Sequence, residues 1–398
     1  IAHPTQCIAK YFYALEGRAP RFFERLFIAL LCAVGYGIAV AGSGIALNFI
    51  ISGDPFSRIP FQALLSDPTT QPIIGGAAFG IVALVIWILF GSFIKRVTKE
   101  IDSDLRSSGS SWLVSVFHDN AGVVAFDDEQ HLVFKVETHN SPSALDPYGG
   151  AITGIVGVNR DPFGTGLGSE LLANVWGYCF ASPFHSDPLP RGLLHPRRIR
   201  DGVHQGVIDG GNQSGVPYGR GWELFDDRYL GKPLVLCGTV GSLPVPIAGT
   251  PGEEQYPRPG DHVVMVGGRI GADGIHGATF SSAALDASAP VQAVQIGDPI
   301  TQKLMFDFLL EVRERGLYSA ITDNGAGGLS SSVGEMAQDA GGVRMDLALA
   351  PLKYPGLAAW EILVSEAQER MTLAVPPESR EELLALAEKR GVEVTVLG

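Results

Sequence analysis

Two long runs without a charged residue most constrain how this chain can fold. They extend over residues 26–51 and 72–94. About 20 apolar residues in an α-helix are enough to cross the hydrocarbon core of a bilayer, and buried helices of soluble domains seldom run that far without a charge. We therefore predict that residues 1–100 form an apolar helical hairpin with two transmembrane helices.

The basic residues around these runs predict an orientation in a membrane. Three arginines precede the first run and three basic residues follow the second, whereas Arg58 is the only basic residue between the runs. By the positive-inside rule, both ends of the hairpin and the part of the chain that follows lie in the cytoplasm. Two alternatives stay open: a buried hairpin in a soluble domain, and a foreign stretch joined to the chain by a faulty gene model.

The composition limits the classes of function. A chain of 398 residues is long enough for two or three folding units. Its formal net charge of −13 argues against a nucleic-acid partner, because binding to a phosphate backbone needs clustered Lys and Arg. The four cysteines form no CxxC pair, so we expect neither a disulfide framework nor a zinc site.

After a polar, Ser-rich stretch at 99–110, which we interpret as a linker, short β-branched runs alternate with helical patterns. We predict an N-terminal unit over residues 101–250 and a C-terminal unit over 251–398, both with sheets and helices, which is an α+β fold. In the first unit we expect strands at 112–117, 122–126, 132–137, 171–180 and 234–240, and helices at 149–159 and 196–207. In the second we expect strands at 262–268, 319–323, 371–375 and 392–397, and helices at 301–315, 325–338 and 377–390.

The run KVETHN predicts a site for a charged ligand. In a strand, alternate side chains lie on the same face, so Lys135, Glu137 and His139 would be neighbours. A cation, a carboxylate and an imidazole are unfavourable to group on one face unless a charged ligand binds there.

The following run, PYGGAITGIVGVNRD, extends this site. Backbone amides at Gly149 and Gly150 would open a helix, a position that suits an anion, and Arg160 with Asp161 would close it. Carboxylates that bind a metal, next to amides and cations that bind phosphate, are typical of an ATP site.

These motifs resemble phosphoribosylformylglycinamidine synthase, a family of the aminoimidazole ribonucleotide synthetase-like superfamily. The resemblance extends from about Trp112 to Gly398 and implies the N-terminal half of the synthase, with synthetase-like N-terminal and C-terminal domains of mixed sheets and helices. The motifs that carry it occur in the family's order: SVFHDNAGV, FKVETHNSPSALDPYGGAITGIVGVNRD, LHPRRI, DGGNQSG, GRIGADGIHGATFSS, QIGDP, TDNGAGGLSSSVGEMA and WEILVSEAQERM.

The resemblance implies an ATP-dependent ligase of purine biosynthesis. Formylglycinamide ribonucleotide, ATP and ammonia would give formylglycinamidine ribonucleotide, ADP and phosphate, through an iminophosphate. No cysteine stands in a nucleophile-elbow context, so the ammonia would come from a separate glutaminase subunit. The family's active sites form between two halves, so the resemblance also implies a second synthetase-like half or a homodimer.

The resemblance also implies roles for particular residues. Lys135 would contact ATP, Glu137 would bind one Mg²⁺, and Asp161 and Asp323 would bind a second. His139 would be the catalytic residue, as proton acceptor or as stabiliser of the polarised amide. The substrate would be bound by Thr138, His139, Asn140, Ser141, Arg160, Gln295, Glu366, Ala367 and Gln368.

Several of these residues have a structural alternative. Asp323 could only cap the helix that follows it. Gln295 could only satisfy backbone groups, and Glu366 could form an ion pair with Arg370 at helical spacing.

The sequence departs from the family at three places. Ser141 replaces the second histidine of HNHP, and Ala367 replaces a serine of SESQ. The early EHC-type histidine is absent, and the apolar hairpin stands in its place. The missing histidine favours one further hypothesis, a membrane-tethered, inactive nucleotide-binding or scaffold protein. Another ATP-dependent enzyme of the superfamily is a second alternative.

Overall fold

The computed structural model of this chain describes residues 90–275 and 297–398. The chain divides into two compact units, Ile1–Val97 and Thr98–Gly398, and the first is described only from Phe90 onward. The predicted hairpin at 26–51 and 72–94 lies almost entirely outside the described residues, so it stays a prediction. Within the described ranges, no helix has the length and apolar character needed to cross a bilayer.

The stretch interpreted as a linker is mostly helical. A π-helical turn, Phe90–Lys95, leads into α1, Arg96–Ser107, which buries none of its residues. The linker prediction was therefore wrong for residues 99–107. Its polar composition reflects a helix exposed to solvent.

A six-stranded mixed sheet forms the first part of the second unit. Its order is β1-β2-β3-β6-β4-β5, and all neighbours are antiparallel except the parallel pair β4 and β5. The strands are β1 Leu113–Ser115, β2 Gly122–Ala125, β3 Gln130–Thr138, β4 Glu170–Phe180, β5 Tyr218–Phe225 and β6 Leu234–Pro244.

Strand β5 was not predicted from the sequence. Its segment, YGRGWELF, contains two glycines, which weaken a strand pattern. A Cβ atom at Gly221 would lie 2.0 Å from the Trp176 ring, so the close approach of β5 to β4 requires glycine there.

The two faces of this sheet differ. Three helices follow strands of this sheet along the chain: α2, Asn140–Leu145, and α3, Pro147–Phe163, after β3, and α4, Pro196–Gln213, after β4. The helices α3 and α4 form a buried core with one face of the sheet. The opposite face carries four large apolar side chains, each between 41% and 56% exposed: Phe134, Val136, Trp222 and Leu224. We call these four residues the open face.

A four-stranded antiparallel sheet forms the second part, in the order β10-β11-β9-β12. A short hairpin of β7, Pro246–Ile247, and β8, Thr250–Pro251, precedes it. The strands are β9 His262–Gly267, β10 Ala320–Asp323, β11 Arg370–Val375 and β12 Val394–Val396. The helices are α5 Pro299–Glu314, α6 Gly328–Ala340, α7 Ala359–Val364 and α8 Arg380–Arg390.

Helix α3 is fixed to helix α5 by buried contacts. The Phe163 ring stacks on Phe306 with ring centroids 3.9 Å apart. The amide Nδ2 of Asn159 donates to Gln302 Oε1 at 3.3 Å, and Gln302 Nε2 donates to the Val156 carbonyl at 2.7 Å. These contacts hold the C-terminal half of α3 against the second part of the fold.

The predicted α+β class, with sheets and helices in both parts, is confirmed. The boundaries predicted for the domains, 1–100, 101–250 and 251–398, stay predictions.

Candidate active site

The end of β3 places a cation beside a carboxylate. Lys135 and Glu137 lie on one face of the strand, with Lys135 Nζ 3.2 Å from Glu137 Oε1. Lys135 Nζ also donates to the Asn120 carbonyl at 2.9 Å. His139 does not belong to the strand, because the chain turns there into α2. The predicted strand face is thus confirmed for Lys135 and Glu137, whereas His139 lies one residue beyond the strand, with its backbone N donating to the Val235 carbonyl of β6 at 2.9 Å.

Helix α3 and strand β10 bring further charged side chains close to Lys135 and Glu137. Asp161, in the last turn of α3, has Oδ1 3.7 Å from Lys135 Nζ. Arg160, beside it, is buried and has Nε 3.4 Å from Asp323 Oδ2 at the end of β10. Three carboxylates and two cations thus meet where β3, α3 and β10 converge.

The carboxylates outnumber the cations, and the pKa values reflect this. Burial, together with repulsion from Asp323 and Glu137, raises the pKa of Asp161 well above its ordinary value. Burial alone would lower the pKa of Lys135, but the neighbouring charges of Asp161 and Glu137 raise it. The site therefore has a negative excess that a bound cation would neutralise.

This charge excess fits Mg²⁺. Within residues 90–275 and 297–398, no three His, Cys, Asp or Glu side chains are grouped closely enough to hold a metal ion by themselves. Mg²⁺ is usually held by one or two protein carboxylates and completes its shell with phosphate oxygens and water. Glu137, Asp161 and Asp323 suit that arrangement when a nucleotide is bound.

Asp323 does not cap the next helix. Helix α6 has Gly327 as its N-cap, with no hydrogen bond from a capping side chain. The carboxylate of Asp323 faces Arg160 instead. The structural alternative for Asp323 is thus not observed.

The amides at the start of α3 do not form the anion site that the sequence indicated. The Asp146 side chain accepts from Gly149 N at 3.3 Å, and the Asp146 carbonyl accepts from Gly150 N at 2.7 Å. Both glycines are buried. The prediction was wrong because Asp146 already satisfies these amides.

His139 lies at the edge of the charged group. The residue is partly exposed, but its Nδ1 is shielded from solvent and has no hydrogen-bond partner among the described residues. Burial lowers the pKa of His139 to about 4, although a hydrogen bond with the Gly150 backbone opposes this shift. The imidazole is therefore neutral at pH 7.

The neighbours of His139 lie in different environments. Thr138 is exposed at the end of β3, whereas Ser141 is fully buried in α2. Asn140 accepts a hydrogen bond from Val235 N through Oδ1 at 2.8 Å, which links α2 to β6. Their roles in substrate binding stay predictions.

The segment Glu366–Gln368 lies in the loop between α7 and β11. Gly327 N donates to Glu366 Oε1 at 3.4 Å, and Ala367 is buried. A Cβ atom on Gly157 of α3 would lie 3.2 Å from Gln368 Oε1, so Gln368 rests against the helix that carries Arg160. The segment is not helical, so the helical spacing proposed for a Glu366 and Arg370 ion pair does not exist. Gln295 lies outside the described residues.

Sequence reasoning gave no role to Asn120. Its carbonyl accepts from Lys135, and its Nδ2 donates to Thr322 Oγ1 at 3.2 Å and to the Gly164 carbonyl at 3.3 Å. It thereby connects β3, α3 and β10. The motif SVFHDNAGV contains Asn120. Its role was not predicted, because contacts with main-chain carbonyl groups leave no pattern in the sequence.

A cavity of about 850 Å³ opens beside Asn120 and Thr322. Six carboxylate residues line it, against two basic residues. This lining does not suit the phosphates of a nucleotide, so we do not place ATP there. The carboxylate residues are Asp102, Asp119, Glu253, Glu254, Glu335 and Asp339.

The fold and the charged group define a class of protein. The N-terminal domain of AIR synthase related proteins matches residues 118–243, and the C-terminal domain of the same proteins matches residues 258–398. Together these matches span more than half of the chain. The chain therefore belongs to the AIR synthase related proteins.

Within this class, the chain is similar to phosphoribosylformylglycinamidine synthase subunit PurL. It is 40% identical to PurL of Methanopyrus kandleri over 312 residues, which cover 76% of this chain and 40% of the relative. PurL of Thermoplasma acidophilum is 39% identical, over 74% of this chain and 38% of the relative. The chain thus spans about two fifths of the length of these relatives.

Solved structures of Thermotoga maritima PurL show the same similarity. The complex with FGAR matches at 32% identity and a TM-score of 0.60, over 74% of this chain and 46% of the other. The complex with ATP matches at 31% identity and a TM-score of 0.57, over 72% and 43%. The T. maritima PurLQS structure matches at 31% identity and a TM-score of 0.56, over 70% and 42%.

Proposed function

We propose that this chain supplies one half of the active site of an ATP-dependent, amidine-forming ligase of purine biosynthesis. Its substrates would be formylglycinamide ribonucleotide (FGAR), ATP and ammonia, and its products formylglycinamidine ribonucleotide, ADP and phosphate. The observation that carries the proposal is the convergence of Lys135, Glu137, Arg160, Asp161 and Asp323. The similarity to PurL proteins solved with FGAR and with ATP supports it.

The proposed reaction has two steps. The FGAR amide oxygen attacks the γ-phosphorus of ATP, the bond to the ADP oxygen breaks, and an iminophosphate forms. Ammonia then attacks the amide carbon, loses protons, and displaces phosphate. Such phosphoryl transfer depends on positioning and on neutralisation of charge rather than on a protein nucleophile.

The nucleotide would bind at the end of β3. Lys135 reaches this point from a strand fixed by backbone pairing to β6, and its raised pKa keeps it charged for a phosphate oxygen. Glu137 would hold one Mg²⁺, and Asp161 with Asp323 would hold a second. When bound, these ions would neutralise the phosphate charge and orient the γ-phosphoryl group.

FGAR would bind between α3 and the loop before β11. The planar Arg160 guanidinium suits its phosphate, since two parallel N–H groups match two phosphate oxygens. Thr138, Asn140, Ser141, Gln295, Glu366, Ala367 and Gln368 would complete the pocket.

Of the two roles considered for His139, we favour stabilisation of the polarised amide. A pKa of about 4 makes the imidazole a weak base for a proton from ammonia. The same pKa keeps it neutral, so a ring N–H can donate to the amide oxygen as negative charge develops there.

A chain that supplies one half of the active site would need partner chains. A second synthetase-like half, on another chain or on a second copy of this one, would pack on the open face, because large apolar side chains exposed together commonly mark an interface. A glutaminase subunit would supply ammonia. The match to PurLQS, an assembly that contains a PurL chain, is consistent with additional subunits.

A second candidate function is a membrane-tethered, inactive nucleotide-binding protein. The charge-free runs favour it, since they stand where the family has its early histidine. In that case the chain would bind ATP but never bind FGAR. The cytoplasmic location of the described part stays a prediction from the charges around those runs.

Arg160 separates the two candidates. We expect Arg160→Met to weaken FGAR binding by about tenfold or more, because a charge-assisted bidentate contact is lost, with ATP binding retained. Titration calorimetry of the full chain measures both affinities, and Arg198→Met, at an exposed position of α4, is the control. Equal FGAR affinity in the wild type and Arg160→Met would refute the substrate assignment.

A further inference from the structure

Arg370, the first residue of β11, is a fully buried arginine, with 0% of its surface exposed. Its guanidinium donates to main-chain carbonyl groups of the loop that precedes it. Nη2 donates to the Ser365 carbonyl at 2.5 Å and Nε donates to the Ala367 carbonyl at 2.9 Å. One side chain therefore holds two peptide groups of the loop that carries Glu366–Gln368.

A buried cation is a costly way to fill space. Removal of a charge from water is compensated only when hydrogen bonds of good geometry replace the lost hydration. A methionine or leucine would fill a similar volume without that cost. What the guanidinium adds is a rigid, planar set of donors that reaches two carbonyl groups at fixed positions.

The ends of the loop are fixed as well. Ser365 Oγ donates to the Gly271 carbonyl at 2.7 Å, and Asp298 N donates to Glu369 Oε1 at 2.5 Å. Gly268 N donates to the Glu369 carbonyl at 2.8 Å. Hydrogen bonds thus fix both the ends and the centre of the loop. Its backbone conformation in turn determines where Glu366 and Gln368 lie.

We propose that Arg370 is a positioning residue for substrate binding. It holds the Ser365–Glu369 loop so that Gln368 rests on α3, near Arg160, and Glu366 faces the start of α6. The inference rests on the proposed function and deepens it, because it assigns Arg370 to the FGAR side of the site. On the ATP side, Lys135 and Glu137 lie on β3, whereas Asp323 lies on β10, which pairs with β11, so we expect the loop to affect ATP affinity less than FGAR affinity.

Two substitutions test the proposal. Arg370→Met removes the charge, whereas Arg370→Lys keeps the charge but presents one point donor on a flexible stem. Arg313→Met is the matched control, since Arg313 is also buried and donates from Nη1 to a main-chain carbonyl, that of Gly168, at 2.8 Å. Each full-length variant is compared with the wild type by amide hydrogen exchange without ligand and by calorimetric titration of FGAR and of Mg²⁺-ATP.

We expect both Arg370 variants to exchange faster at the amides of 365–369. We also expect their FGAR affinity to fall by about 10- to 100-fold, as when the groups that orient a ligand-binding residue are lost, with a smaller loss of ATP affinity. The control should keep wild-type exchange in the loop and wild-type affinity for FGAR. If Arg370→Met does not fold, Arg370→Lys decides, and guanidinium ion added to Arg370→Ala should restore FGAR binding.

Two results would overturn the proposal. Unchanged exchange at 365–369 in both variants would show that Arg370 does not hold the loop. An equal loss of ATP and FGAR affinity would show a general structural role. If the wild type binds ATP but no FGAR, the proposed function fails, and the exchange measurement still decides whether Arg370 fixes the loop.

Discussion

At the scale of single residues, the site groups three carboxylates with two cations. The excess of negative charge would be neutralised by a bound cation. Lys135, Glu137 and Asp161 could be predicted because their spacing on a strand and a helix end is fixed by the chain itself. The roles of Asn120 and Arg370 could not be predicted. The Asn120 carbonyl accepts from Lys135, and the Arg370 side chain donates to main-chain carbonyls of the loop that precedes it, and contacts of the main chain leave no sequence pattern. The prediction of an anion site at Gly149 and Gly150 was wrong because the Asp146 side chain accepts from Gly149 N and the Asp146 carbonyl accepts from Gly150 N.

Glu369 gives a prediction for the dependence of stability on pH. Burial raises its pKa from 4.5 to about 7, although the hydrogen bond from Asp298 N opposes the shift. The folded state therefore binds more protons than the unfolded state between these values, and the stabilisation present below pH 4.5 is lost as pH rises through 7. At about 1.4 kcal/mol per pKa unit, the loss is about 3 kcal/mol.

Glu369→Gln should remove this dependence, because an amide does not titrate and its oxygen can still accept from Asp298 N. Chemical denaturation between pH 4 and 8 measures the difference between variant and wild type. The exposed Glu388→Gln is the control, and we expect its difference from the wild type to stay flat. A flat difference for Glu369→Gln as well would contradict the raised pKa.

At the scale of elements, the site depends on the close approach of the start of α6 to the loop before β11. Gly328, in the motif DNGAGG, has φ +55°, and a Cβ atom there would lie 2.1 Å from the Ser365 carbonyl oxygen. The sequence indicated a glycine turn and a helix at this point, and both are present. It could not show which segment the turn contacts, because a contact between residues 328 and 365 has no periodicity.

Gly328→Ala should be strongly destabilising. The left-handed backbone costs about 1–2 kcal/mol for a residue with a Cβ, and the contact with Ser365 adds to this. Gly334→Ala, in the same helix, is the matched control, since nothing lies within 4 Å of its Cβ position. That change should stabilise the protein by about 0.5–1 kcal/mol. Equal effects of the two substitutions on the free energy of unfolding would argue against the described turn.

At the scale of the whole molecule, the chain resembles part of a longer synthase, and its open face exposes Phe134, Val136, Trp222 and Leu224. The fold class was predictable because most strands other than β5 keep a clear strand pattern and three helices, α3, α4 and α5, begin at an Asp-Pro or His-Pro pair. The exposure of one sheet face was not predictable, because an apolar strand residue gives the same sequence pattern whether a helix covers it or it stays exposed.

We expect the purified chain alone to form little amidine from FGAR, ATP and ammonia, because the proposed function assigns to it one half of the active site. The rate of ADP release, measured together with the molecular mass in solution, tests this expectation. Rapid turnover by a monomer would contradict the half-site interpretation. Turnover that appears only on dimerisation, and is lost in Trp222→Lys, would place the second copy on the open face.

The central claim is that the charges at the end of β3 form a Mg²⁺-dependent ATP site. The most direct measurement is ATP affinity by calorimetry with and without Mg²⁺, for the wild type, for Glu137→Ala, and for Glu170→Ala, an exposed glutamate of β4. We expect the wild type and Glu170→Ala to bind ATP only with Mg²⁺, and Glu137→Ala not to bind it. Unchanged, Mg²⁺-independent ATP affinity in Glu137→Ala would contradict the claim.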